Sequence, residues 1–383
     1  MYESLTKKQK LLKESIINFA KNELNTNLSY NDDKAIFARE NWNKCAQDIE
    51  ILPLLCSEKY GGFEESLQNT LLTLEALSYA CRDSGLVHAI VTQLCCIVQL
   101  NLFADDKLKS RYLPSLIKGE KIAAQAITEP DSGSDVPSMK TNATINGSYY
   151  LINGSKTFIS NGPLSDIVIV YAGSQNKKSS FAKVSTFLLE KTYKGFKSGQ
   201  PLDKMGLRTM HNGELFFDNC KVPKQNLIGA EGQGMMIFNE MMEWERALMG
   251  AVHIGTLSRI AEKCIQYANT RKQFGKPIGK FQSISNKIAE MIVNLELGRS
   301  FLYRIAKLKD NNMRATKETS ILKLFVSESL KSACLEAIQI HGGYGYMKDY
   351  ELEMELRNSV ASTIYSGTSE MQKNLIAYLA GVK

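Results

Sequence analysis

Residues 143–162 read ATINGSYYLINGSKTFISNG. Asn-Gly recurs at Asn146-Gly147, Asn153-Gly154 and Asn161-Gly162, between runs rich in Tyr, Ile, Thr and Phe. Asn-Gly suits the left-handed backbone of a tight hairpin, and β-branched or aromatic residues suit strands, so this stretch predicts hairpins. DIVIVYAG (166–173), STFLLE (185–190) and ELFFDNCKV (214–222) add further short strands. Together they predict a small all-β unit over 121–227.

On either side the period changes from two to between three and four. Leu12, Ile16, Phe19 and Leu24 form one helical stripe, and residues 66–101 form a second helical stretch with Gly85 as its expected break. Helical spacing returns over 235–268, 282–308, 316–340 and 369–380, with short polar connections that suggest a bundle. The expected fold is α+β: an N-terminal helical domain (1–120), a central β-barrel or sandwich domain (121–227) and a C-terminal four-helix bundle (228–383). Strands and helices do not alternate, so a doubly wound dinucleotide-binding sheet is excluded. The glycine-rich HGGYGY (341–346) follows a helix rather than a strand, and so fails as that kind of phosphate loop.

The formal charge is +7, from 47 basic and 40 acidic residues, with no dense Lys/Arg block of the kind that follows nucleic acid. The eight cysteines form no CxxC pair, and the four histidines are scattered. Reduced thiols, a cytoplasmic setting and no metal site are therefore expected. No run of eighteen apolar residues is present, and the N-terminus has neither the apolar centre of a signal peptide nor the arginines of a transit peptide.

Five stretches carry a resemblance. AITEPDSGSD (126–135), SKTFISNG (155–162), TRKQFGKPIGKFQ (270–282), QIHGGYGY (339–346) and IYSGTSEMQ (364–372) resemble, in order and spacing, the acyl-CoA dehydrogenase family. The resemblance covers essentially the whole chain and implies FAD as cofactor and a homotetramer. It implies flavin-edge contacts at Gln125, Ile127 and Thr128, and pyrophosphate contacts at Gly133 and Ser134. The family's Trp-Ile-Thr strand, which packs on the flavin ring, reads Phe158-Ile159-Ser160 here. Phe still offers an apolar plate and Ser a hydroxyl donor. Arg271, Phe274, Gln282, Gln339, Gly342 and Gly343 fall at positions that the family uses for pyrophosphate and adenine, partly across a subunit boundary. Thr368 is expected near the flavin.

In the best-known branch of that family the catalytic glutamate sits in the tail turn, where this chain has Ser366. A serine with no base beside it cannot remove an α-proton at neutral pH. Its backbone N–H can still hold a thioester carbonyl. Another branch carries the glutamate on a bundle helix just before an arginine, and MMEWERALMGAVHIG (241–255) has that order at Glu245-Arg246. Helical spacing puts Glu245 on the stripe of Met241, Met242, Leu248 and Met249, where desolvation raises a carboxylate's pKa. Glu240 and Glu243 project to another side. Glu245 is therefore the expected base, and Arg246 a structural partner that fixes the turn near Ser366.

NEMMEWERALMGAVHIG (239–255) and GKFQSISNKIAEMIVNLELGR (279–299) are most similar to the prolyl carrier-protein oxidases and dehydrogenases of natural-product pathways. The resemblance implies oxidation of a prolyl or other aminoacyl thioester on a carrier protein, with hydride passing to flavin N5. Oxygen or an electron-transfer protein would reoxidise the flavin. The readings weighed against it are a short- or branched-chain acyl-CoA dehydrogenase, a flavin monooxygenase-like relative and a non-catalytic thioester binder.

Overall fold

The computed structural model describes residues 5–174 and 183–382; the first four residues of the N-terminal stretch lie outside them. The chain opens with six helices: α1 (Lys7–Glu23), α2 (Leu28–Lys34), α3 (Arg39–Gln47), α4 (Leu67–Ala80), α5 (Ser84–Phe103) and α6 (Asp106–Ile117). Thr6 and Gln9 close a reciprocal capping box at the start of α1.

The break between α4 and α5 falls at Cys81–Asp83, not at Gly85. Asp83 caps α5 by accepting from the Leu86 N–H, and Gly85 lies inside the first turn. A Cβ on Gly85 would stand 2.0 Å from Thr209 Oγ1 and 2.8 Å from Met210 N. Glycine is there to let a loop of the β domain touch the helix. That loop's Thr209 O–H donates to Asp83 at 2.5 Å.

Helix α5 is long and apolar enough to cross a membrane, although Ser84, His88, Gln93 and Gln99 interrupt it. Sixteen of its twenty residues are buried, against α3, α4, α6, α7 and β1, so it is a core helix here.

The central unit is an eight-stranded mixed sheet: β1 (Ala123–Ala126), β2 (Asn142–Asn146), β3 (Tyr149–Ser160), β4 (Ile167–Ser174), β5 (Val184–Glu190), β6 (Phe196–Ser198), β7 (Asn212–Pro223) and β8 (Leu227–Ile228). The order is β6-β7-β3-β2-β4-β5-β8, with β1 parallel on β4. Ile167, Ile169 and Tyr171 join the large core shared with the helices, while Val168, Val170 and Ala172 fill a second core with Phe187, Leu189 and Phe217. Alternation with both faces covered explains why β4 reads as an unbroken apolar run.

Of the three Asn-Gly pairs, one makes a hairpin. Asn146 pairs with Tyr149 across Gly147, whose φ is +58°. Asn153-Gly154 sits inside β3 at a register shift, with Asn153 accepting from the Asn219 N–H at 2.7 Å. Asn161 ends β3 at φ +60° and spends its amide on the carbonyls of Ala89 and Ala123, at 3.1 and 3.3 Å. An Asn amide satisfies backbone groups of neighbouring elements as readily as it forms a turn. Here it ties the sheet to α5.

The C-terminal block runs α7 (Gly234–Thr270), the small hairpin β9 (Lys272–Gln273) and β10 (Lys276–Pro277), α8 (Gln282–Asp310), α9 (Thr316–His341), α10 (Leu352–Val360) and α11 (Ser369–Leu379). Helix α7 is the axle of the molecule, packing on α4, α5, α8, α9 and β5. It thus brings the N-terminal helices, the sheet and the bundle to one junction.

Candidate active site

Glu245 lies half-buried on α7, with Met241, Met242, Leu248 and Met249 buried around it as the helical stripe requires. Its Oε1 accepts the hydroxyl proton of Ser366 from the tail turn. Burial raises its pKa above the ordinary glutamate range; the Ser366 hydroxyl and the charges of Arg246 and Lys323 oppose that rise. Cys95 and Cys96 of α5, Tyr171 of β4 and Tyr365 of the tail all feel its charge, so four elements meet at this one carboxylate.

The turn is held from outside itself. Ser366 and Gly367 have φ of +56° and +89°, a strained conformation for a serine. Arg246 Nε–H donates to the Ser366 carbonyl at 3.2 Å, and Gln372 donates to the same oxygen at 3.1 Å. The Gly367 carbonyl accepts from Lys323 at 2.6 Å and from Gln372 at 2.9 Å. Desolvation pulls Lys323 down to about 8 and Arg246 to about 10. Thr368 caps α11, its hydroxyl oxygen accepting from the Met371 N–H at 3.3 Å.

Glu243 and Glu240 face the other way. Glu243 is buried and accepts from Lys309 at 3.0 Å, the Ala315 N–H at 3.0 Å and the Thr316 hydroxyl. Glu240 accepts from Lys309 at 2.6 Å and Trp244 at 3.2 Å. Both are committed to fastening α7 to the α8–α9 connection.

Behind the turn, Tyr365 links two buried histidines that sequence reasoning did not single out. His88 Nδ1 lies 2.7 Å from the Ser84 carbonyl, which only accepts, so Nδ1 carries the proton and Nε2 accepts from Tyr365 O–H at 2.8 Å. His253 Nε2–H then donates to the phenol oxygen at 2.7 Å, leaving His253 Nδ1 without a partner. Burial keeps both rings neutral, His88 down to about 4 and His253 well below its usual value.

The positions that the resemblance assigns to the cofactor fall into two groups. The first surrounds the start of the sheet. Lys156, fully buried, donates to the Ile127 carbonyl and to Glu129, both at 2.8 Å, while Glu129 accepts from the Lys140 and Thr141 N–H groups. The Thr128 carbonyl accepts from the Thr157 N–H at 2.9 Å. This clamp shapes the loop that carries Gly133 and Ser134, both exposed.

Phe158 sits at a second register shift of β3, at φ +59° and 67% exposed. A bulky residue held in a left-handed conformation and turned to solvent is costly. Ser160 accepts from Asn212 at 3.1 Å and keeps its own O–H to donate. Ile159 points its side chain into the second core, and the half-buried Gln125 donates to Gln99 at 2.7 Å.

The second group lies at the far end of α7. Arg271 sits over the Tyr344 ring at 5.8 Å, and Phe274, at φ +51° and 91% exposed, stands beside Phe281 on the small hairpin. Gln282, Gln339, Gly342 and Gly343 are exposed at the same end, and a Cβ on either glycine would meet nothing within 4 Å. From Glu245 to Arg271 the helix rises about 39 Å.

A sheet is thus clasped between helical blocks, with a helix-borne carboxylate against a tail turn where they meet. The acyl-CoA dehydrogenase N-terminal, middle and C-terminal domain models match residues 6–120, 124–220 and 232–379. An L-prolyl-[peptidyl-carrier protein] dehydrogenase of Pseudomonas fluorescens is 37% identical over 350 residues, 91% of each chain. The crystal structure of the prolyl acyl carrier protein oxidase AnaB superposes with TM-score 0.96 at 40% identity, covering 99% of this chain and all of that one. PigA solved with FAD and proline gives TM-score 0.96 at 36% identity over the whole of both chains. The chain belongs to the acyl-CoA dehydrogenase family.

Proposed function

We propose that the protein is an FAD-dependent dehydrogenase or oxidase of a prolyl thioester carried on a peptidyl or acyl carrier protein, with Glu245 as the base. The single observation that carries the base is the Glu245 carboxylate at the junction, raised in pKa by burial and joined to the tail turn through Ser366. The prolyl carrier-protein substrate rests on the relatives, to which the similarity extends along the whole chain. A division at 1–120, 121–227 and 228–383 is supported by α6 ending at Ile117, β1 opening at Ala123 and α7 opening at Gly234.

When bound, FAD supplies the hydride acceptor, so that loss of the α-proton and of the neighbouring hydride leaves a double bond in the substrate. Phe158 would be the plate against its ring, Ser160 and Thr128 would meet its edge, and Gly133 and Ser134 would line the loop for its pyrophosphate. Glu245 removes the α-proton, because its desolvated carboxylate is a stronger base than an exposed one. The Ser366 N–H holds the thioester carbonyl as negative charge grows there. Arg246, Gln372 and Lys323 occupy the turn's carbonyls and so hold it in place. Arg271, Phe274, Gln282, Gln339, Gly342 and Gly343 would serve the cofactor of a second copy, in an assembly taken to be a homotetramer; Arg271, where α7 ends, stands about 39 Å along that helix from Glu245. A reduced, cytoplasmic setting is supported by eight buried cysteines, all free. The flavin is reoxidised by oxygen or by an electron-transfer protein.

Mixing the purified flavoprotein with prolyl-carrier protein in the absence of oxygen tests the reading. Bleaching of the flavin band with loss of two hydrogens from the prolyl group is expected. Bleaching only with acyl-CoA would move the substrate, bleaching only with a reduced nicotinamide would indicate oxygenase chemistry, and no bleaching with any thioester would mark a binder.

A further inference from the structure

Ser366 occupies the place where the tail turn could have carried the carboxylate, and its side chain reaches back to the residue that does carry it. Helix α7 grips this serine twice. Glu245 accepts its hydroxyl proton, and the adjacent Arg246 donates to its carbonyl at 3.2 Å. Gln372 donates to the same carbonyl at 3.1 Å, so the backbone of Ser366 is anchored without its hydroxyl. The hydroxyl is thus free of any duty in holding the turn, yet it is bonded to the half-buried carboxylate.

We propose that the Ser366 side chain is a positioning group for Glu245: its hydroxyl fixes the carboxylate against the tail turn and stabilises its charged form. This deepens the reading of Glu245 as the base and rests on it. The groups facing that carboxylate are Arg246 on α7, Lys323 on α9, Cys95 and Cys96 on α5, Tyr171 on β4, and Tyr365 and Ser366 on the tail. The thiols and Tyr171 are buried, Tyr365 is half-buried, and all four are neutral. The cations are Arg246, which also bonds Ser320, and Lys323, which bonds the Gly367 carbonyl. Ser366 is the one uncharged donor to Glu245 among the described residues. A hydrogen bond to the ionised form lowers a carboxyl's proton affinity, and removing it raises that affinity. Loss of the hydroxyl therefore moves the acid limb of the rate profile to higher pH.

The experiment measures kcat/KM against pH for the FAD-loaded wild-type enzyme and for Ser366→Ala and Ser366→Gly, with a prolyl-pantetheine thioester as substrate. Glycine relaxes the positive φ, so the pair separates the hydroxyl from backbone strain. A charge-assisted hydrogen bond predicts roughly a tenfold fall at the acid end for both variants. Infrared titration of the substrate-free holoenzyme, with Glu245→Gln as the blank, should show the same carboxyl protonating at higher pH in both. A limb and a titration unchanged from wild type, with Glu245→Gln inactive, overturn the role of Ser366 alone. Retained turnover in Glu245→Gln instead overturns the base itself, and this inference with it.

Discussion

The two ends of α7 are built differently. Around Glu245 the chain closes on itself: both carbonyls of the tail turn are bonded, the neighbouring side chains are buried, and the strained Ser366 is held by α7 and α11 while α9 holds Gly367. Around Arg271 it stays open, with Phe274 in a left-handed conformation in solvent and two glycines facing empty space. Local strain persists only where surrounding structure over-determines it. At the first end that support is within the chain. At the second it is missing, and that is where the proposed function sets a cofactor and a second copy.

The most severe way to test the contrast is at the closed end. Glu245→Gln keeps size and burial but cannot accept the proton, so turnover should fall roughly 10²–10⁴-fold. Because burial raises this pKa, wild-type activity should be lost as pH falls through a value above the ordinary glutamate range, and the base is fully active above it. Substantial turnover in the variant would dissolve the comparison.

At the open end, Arg271→Ala should weaken FAD retention about tenfold, the cost of a lost charge-assisted bond. It should leave the helix content of the single chain unchanged and restore near-normal turnover at saturating FAD; equilibrium dialysis with and without excess cofactor checks this. Tyr365→Phe returns to the closed end and strips a partner from each of two buried histidines. Stability should drop about 1–3 kcal/mol in denaturant titration. The smallest effect on folding belongs to Gly343→Val, expected within about 0.5 kcal/mol of wild type because the position is open. FAD retention in the assembled protein should nevertheless fall. If stability fell and cofactor binding did not, the open end would be ordinary surface.

Much of this contrast was legible in the chain. The period of α7 placed Glu245 among methionines, and burial followed from that alone. The hairpin at Asn146-Gly147 was legible too, since a two-residue turn between strands is a local matter. Asn153-Gly154 and Asn161-Gly162 carry the same dipeptide yet became a register shift and a strand end, because their amides found distant backbone partners. Gly85 looked like a break for the same reason in reverse: the loop that needs its missing Cβ lies more than a hundred residues away in sequence.

By itself, then, the sequence determined the order of helix, strand and helix blocks, the face of α7 that carries the acidic residue, and the family motifs. Each depends on neighbours a few positions apart. Only the tertiary structure decided what acts on that carboxylate, namely the hydroxyl of Ser366 and the lysine of α9, and that the cysteines of α5 feel its charge. These come from segments brought together by packing, and a buried charge takes its chemistry from whatever the fold sets against it.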